Sequence, residues 1–128
     1  MDVRRTNVFM ASLRALKETD EELFVVVAGD IQYLLEVKRS AVLPQVGWRI
    51  AQSAYPGLTG EVRSHVPGRE AFVRTLFAMP PDESVCVLAV MGDKNSDDGA
   101  QGNEWYDLAV PMLDQAWANY VASQAAAD

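Results

Sequence analysis

The chain has 128 residues, 49% of them hydrophobic, a single cysteine and a formal net charge of −7. That length buries a core without disulfide or metal staples, and Cys86 has no partner inside the chain, which fits a reducing, cytoplasmic setting. The acidic balance excludes indiscriminate nucleic-acid binding, whose affinity comes from Lys and Arg on phosphates; no apolar run is long enough to span a membrane or to follow MDVRRTN as a signal peptide.

A short strand fits residues 2–5. Thr6 or Asn7 can then cap a helix running through Leu16, with Phe9, Leu13 and Leu16 on one face. Thr19 or Asp20 starts a second helix: Glu21 and Glu22 suit its first turn, and Leu23, Val27, Ile31, Leu34 and Leu35 recur at helical spacing. Lys38 and Arg39 suit its C-terminus, and the two helices read as a hairpin packed by apolar faces. Between residues 41 and 60, Pro44, Gly47, Pro56, Gly57 and Gly60 mark a connecting segment.

Three strand-like runs follow at residues 58–65, 71–79 and 84–91, separated by Pro67-Gly68 and by Pro80-Pro81-Asp82. Connections this short predict an antiparallel meander. The third run, SVCVLAVM, is apolar almost throughout, which predicts a central strand covered on both faces with Cys86 as packing. Leu108, Met112, Leu113, Ala116, Trp117 and Tyr120 predict a final helix. Pro111 suits a first turn, so that helix is placed from near Val110, with an irregular lead-in from Trp105 and a frayed VASQAAAD tail. The result is one α+β domain over residues 1–128.

The stretch VMGDKNSDDGAQGNEWY, residues 90–106, places Asp93, Asn95, Asp97 and Glu104 at positions one, three, five and twelve of a calcium-loop pattern. Position six, which needs Gly for its sharp turn, is Asp98, and the loop leaves a strand where a helix is required. The spacing is therefore read as a solvated acidic connection, and no metal or cofactor is expected. Positive charge is concentrated elsewhere. Residues 37–81 hold six basic side chains (Lys38, Arg39, Arg49, Arg63, Arg69, Arg74) against Glu61 and Glu70, whereas the remainder holds five against sixteen. An acidic body can focus positive potential in one groove, though arginines can equally decorate a strand-rich half.

A hydrophobic strand, Gly-Asp-Lys, a polar gap, Trp-Tyr and a final amphipathic helix with an internal Pro resembles the C-terminal half of the RelE/ParE toxin superfamily. The nearest likeness is to its HigB-like, phage-derived addiction-module-killer branch. GEVRSHVPGREAFVRTLFAMPPDESVCVLAVMGDK is similar to that branch's Glu-(Leu/Val)-Arg strand, its Arg-x-Leu-Phe-Ala strand and its hairpin, and the helical pair and the connector LPQVGWRIAQSAYPGLTG sit where the family carries theirs. The resemblance spans nearly the whole chain and rests on the order and spacing of short motifs.

What it implies is a small sheet flanked by helices and a type II toxin: a metal-independent endoribonuclease cutting messenger RNA at the ribosome, neutralised by a helix-turn-helix antitoxin. Cleavage by the 2′-hydroxyl needs a proton acceptor, a proton donor and cations around the phosphate, for which arginine's planar fork is suited. By resemblance Arg63 and Arg74 clamp the scissile phosphate, with Arg69 at the intervening turn. Lys94 holds phosphate or steadies the transition state, and Tyr106 stacks on a base or donates a proton. His65 lies two residues after Arg63 on the same strand face, and imidazole is the side chain suited to proton transfer at physiological pH, which makes it a candidate base or substrate contact. Each also has a plain structural reading: solvated strand arginines, an exposed Lys94 ion pair, a core Tyr106, a structural His65. The acidic net charge and the long loop before Trp105 depart from the messenger-cleaving relatives. Two other activities on the same fold therefore stay open, a gyrase-targeting toxin and a non-catalytic module binding a host protein; exposed Trp48 and Trp105 would favour the latter.

Overall fold

The structure, a computed structural model, describes residues 1–94 and 102–127. Its elements are β1 (Asp2–Arg5), α1 (Asn7–Thr19), α2 (Glu21–Val37), a 3-10 turn (Lys38–Ser40), β2 (Val46–Trp48), β3 (Thr59–His65), β4 (Phe72–Ala78), β5 (Val85–Asp93) and α3 (Gly102–Ala127). The strands form one sheet in the order β1-β5-β4-β3-β2. β1 runs parallel to β5 and every other pair is antiparallel. This is the α+β layout predicted from the sequence, and it is compatible with a RelE-like arrangement.

Local chemistry sets the helical hairpin. The Thr6 hydroxyl accepts from the Phe9 N–H at 3.0 Å and donates to the Ala89 carbonyl at 2.6 Å, so it caps α1 and ties its start to β5. Asp20 serves both helices. Its N–H bonds the Leu16 carbonyl at 2.8 Å, closing α1, and its carboxylate accepts from the Leu23 N–H at 3.2 Å, opening α2. A one-residue junction leaves the chain little choice but to double back.

Strand alternation divides the sheet between two helical layers. Val62, Val73, Phe77, Met79, Cys86 and Leu88 face α1 and α2, where they meet Phe9, Leu23, Val27 and Leu34. Leu76, Ala78, Ala89 and Val90 face α3, against Ala109, Val110 and Leu113. A bulge makes that second set possible: the register steps from Leu76↔Val90 to Phe77↔Leu88, so Ala89 is extra and it joins Val90 on the α3 side. β5 is thus covered on both faces as predicted. Cys86 is fully buried, and burial pushes its thiol up to about 12, which makes it a packing residue.

Three expectations need correction. The connecting segment contains a strand, β2, paired with β3 through Val46↔Val62 and Trp48↔Gly60. Three residues are too few for periodicity to announce, and what holds them is tertiary. The Trp48 Nε1 donates to the Ala41 carbonyl at 2.7 Å, and its ring meets Phe77 edge-on at 5.1 Å. Second, α3 begins at Gly102, so Pro111 lies inside it. Pro111 is on the exposed side, where water can serve the carbonyl its missing N–H leaves unbonded, while Trp105 and Tyr106 pack against the second core and hold the lead-in turn. Third, the tail stays helical to Ala127 although residues 121–127 are all exposed, as its alanine content favours. Among the described residues no helix is long and apolar enough to cross a membrane.

Candidate functional site

The antiparallel register of β3 and β4 sets Arg63 directly opposite Arg74. Because the Arg63 N–H is spent on the Gln45 carbonyl at 2.7 Å, toward β2, the two arginines form a non-hydrogen-bonded pair, the type in which facing side chains are closest. Both project to the α3 side of the sheet, the face of Glu61 and Leu76. The next cross-strand row on that face is His65↔Phe72, extended by Lys94, whose N–H bonds the Phe72 carbonyl at 3.0 Å. α3 covers the apolar part of this face and leaves the cationic part open.

Two glycines make room for the cluster. A Cβ on Gly47 would stand 2.8 Å from the Arg63 Nη2, so the guanidinium lies directly over β2. A Cβ on Gly92 would stand 2.6 Å from the Trp105 Nε1, so the indole presses on the sheet and fixes the start of α3 beside the arginines.

Like charges facing each other across a sheet repel, and the pair is only partly compensated. Arg63 Nε bonds Glu61 Oε1 at 3.0 Å, and the other carboxylate oxygen of Glu61 accepts a short hydrogen bond from the Tyr106 hydroxyl. Burial, then the bond to Glu61 and its charge, hold the Tyr106 phenol above its ordinary range, with Arg74 acting the other way. Tyr106 is therefore a neutral proton donor throughout the physiological range. Arg74 is only 8% exposed; its Nη1 donates to the Val73 carbonyl at 3.2 Å and its Nε has no partner. Among the described residues no carboxylate pairs with it.

His65 stacks on Phe72 with ring centroids 4.1 Å apart and planes 1° from parallel, and its Nδ1 lies 2.9 Å from the Ala71 carbonyl. A carbonyl only accepts, so Nδ1 carries the proton and Nε2 is left as the lone-pair nitrogen of the neutral ring. Lys94 Nζ lies 5.7 Å from the centre of the Phe72 ring. The structure thus brings Arg63, Arg74, Tyr106, His65 and Lys94 to one region. It does not bring Arg69 there: that guanidinium is ion-paired with Asp20 and, at 3.0 Å, with Glu22 at the start of α2. Of the calcium-like positions, Asn95 and Asp97 lie outside the described residues. Among those described, no group of three His, Cys, Asp or Glu side chains could hold a metal ion.

Two hollows meet at Arg63. One, of about 300 Å³, is lined by Gly47, Arg49, Gln52, Glu61 and Tyr106; the other, of about 420 Å³, by Asp30, Ser64, His65, Phe72 and Arg74. A larger hollow of about 500 Å³, between residues 52–55 and α3, reaches Tyr106 but neither arginine.

Glu61 and Asp30 are members that sequence reasoning missed as site residues. Glu61 was detectable as an acid two places before Arg63, hence on the same strand face. Asp30 was detectable as an acid between Val27 and Leu34, on the helix stripe that is otherwise core. No protein-family model matches the chain, and no curated protein matches it.

Proposed function

We propose that this face is a phosphodiester-handling site and that the protein is a type II toxin, a metal-independent endoribonuclease acting on messenger RNA at the ribosome and neutralised by a helix-turn-helix antitoxin. The single observation that carries the reading is the Arg63↔Arg74 pair: two guanidinium groups on neighbouring strands, on one face, one of them buried with an unsatisfied Nε. An anion seated between them would relieve a repulsion that Glu61 compensates only on the Arg63 side.

The neighbours supply the rest of the chemistry. The 2′-oxygen attacks the adjacent phosphorus and the bond to the 5′-oxygen breaks, leaving a 2′,3′-cyclic phosphate and a 5′-hydroxyl. Glu61, oriented by its 3.0 Å ion pair with Arg63, accepts the 2′-hydroxyl proton. Tyr106 gives its proton to the departing 5′-oxygen, an alkoxide far more basic than any phenolate. The protonated Glu61 then returns a proton to Tyr106 along the hydrogen bond they already share, and the pair is reset. Arg74 and Arg63 balance the charge that builds on the phosphate oxygens, and Lys94 with His65 holds the flanking strand. Trp48 and Trp105, whose exposure would favour a protein-binding module, are both half-buried against the sheet, and no observation favours a gyrase target.

The test is to induce the protein in bacteria and map message ends. Growth arrest with new 5′-hydroxyl ends, abolished by Arg63→Ala and by Arg74→Ala, is the expected result. Arrest that survives both substitutions would redirect the assignment to a binder.

A further inference from the structure

The cavity of about 420 Å³ beyond Arg63 and Arg74 holds more than a phosphate needs. It spans the edge of β3 where β2 has ended, so its wall takes side chains from both sheet faces: Arg63, His65 and Arg74 from one, Ser64 from the other, with Asp30 reaching in from α2. Only three buried side-chain polar atoms among the described residues lack a hydrogen-bond partner, and two of them, Ser64 Oγ and Arg74 Nε, belong to this cavity's lining. Ser64 is 1% exposed and Arg74 8%, so neither atom has water to satisfy it from bulk. Asp30 stands beside Ser64, close enough for the hydroxyl to act on its carboxylate but outside hydrogen-bond geometry, and forms no ion pair with either arginine among the described residues.

That composition has a definite chemical complement. Two guanidinium groups fit a phosphate. The flat His65–Phe72 stack offers an aromatic surface to a base. A carboxylate with a hydroxyl beside it accepts from paired N–H donors. Guanine presents such a pair side by side on its Watson–Crick edge, at N1 and the exocyclic N2. Adenine and cytosine each set one amino group beside a ring nitrogen lone pair, which a carboxylate repels; uracil has a single N–H between two carbonyls. The volume is of the size that encloses a small ligand such as one nucleotide.

From this juxtaposition we infer that the cavity is a guanine subsite: Asp30 and Ser64 read the base, His65 stacks under it, and Arg63 with Arg74 holds the attached phosphate. The inference deepens the ribonuclease reading and rests on it for the phosphate half of the site. It makes the enzyme selective for cleavage next to guanosine.

Binding of guanosine 3′-monophosphate, adenosine 3′-monophosphate, cytidine 3′-monophosphate and inorganic phosphate to the full chain, measured by titration calorimetry, tests it. The guanosine nucleotide should bind at least about fivefold more tightly than the other two, the lower end of what one bidentate base contact discriminates. Asp30→Asn should bring it down to their level without abolishing phosphate binding. Arg74→Ala should weaken all three nucleotides together. A melting temperature for Asp30→Asn at or above that of the parent chain separates loss of reading from loss of fold. Equal binding of all nucleotides, indifferent to Asp30→Asn, would overturn the guanine subsite and leave the phosphate site standing. Failure of every nucleotide and of phosphate to bind would overturn both.

Discussion

The two faces of the sheet are made by the same strands and came out differently. Under α1 and α2 the face is closed: Val62, Val73, Phe77, Met79, Cys86 and Leu88 are buried against a continuous helical layer. Under α3 only half the face is apolar. Past Leu76 and Val90 the positions are taken by Glu61, Arg63, Arg74, His65 and Lys94, and a single helix cannot cover them. The difference separates what holds the molecule together from the proposed site. The closed face gains from every methylene it buries. The open one places like charges opposite each other and leaves the Arg74 Nε unsatisfied, a cost that packing elsewhere must offset.

Substitutions on the two faces should therefore fall into opposite classes. The largest effect is expected at Phe77, fully buried and in edge contact with Trp48: Phe77→Ala should lose about 3–5 kcal/mol of stability in a denaturant melt. Arg74→Ala should do the reverse, reducing the proposed RNA cleavage by about 10²–10³-fold, the range for removing one preorganised charge-stabilising donor, while the melt is unchanged or improved. A substitution at their junction sharpens the contrast. Gly92→Ala forces the Trp105 indole off the sheet and should cost about 1–3 kcal/mol, read together with a change in tryptophan emission.

Smaller effects follow from ionisation. Burial raises the Asp30 carboxyl above 3.8, the Ser64 hydroxyl partly offsetting it. With the folded value above the unfolded one, stability from this group is fully present below the unfolded value and is lost as pH rises through the folded one. At neutral pH the ionised carboxylate is then a net cost, and Asp30→Asn should raise the melting temperature slightly at pH 7 and have little effect below pH about 3, where both states bind the proton. On the closed face, the Cys86 thiol at about 12 should ignore a thiol reagent at pH 8 until the chain unfolds, so that modification tracks global opening.

Much of the closed face was legible beforehand. Leu23, Val27, Ile31 and Leu34 recur at helical spacing, Asp20 caps, and SVCVLAVM is apolar on both sides, so the helical hairpin and the doubly covered strand follow from period and capping alone. The site was legible only as residue types. Arg63 and Arg74 stood in neighbouring strands, but whether they met depended on register, fixed by the Pro67-Gly68 turn and by which set of side chains the core claimed. Arg69 looked equivalent to them and is not, because the turn carries it to the carboxylates at the start of α2.

By itself, then, the sequence determined the class of fold, the order of its elements and the segment in which positive charge gathers, since all three are written in local periodicity and composition. Tertiary structure alone decided that β2 exists, that α3 runs through Pro111, and that Glu61, Asp30 and the two arginines share one region. Those outcomes depend on contacts between residues far apart in the chain, such as Trp48 with Phe77, Trp105 on Gly92 and Tyr106 with Glu61, whose partners no local window contains.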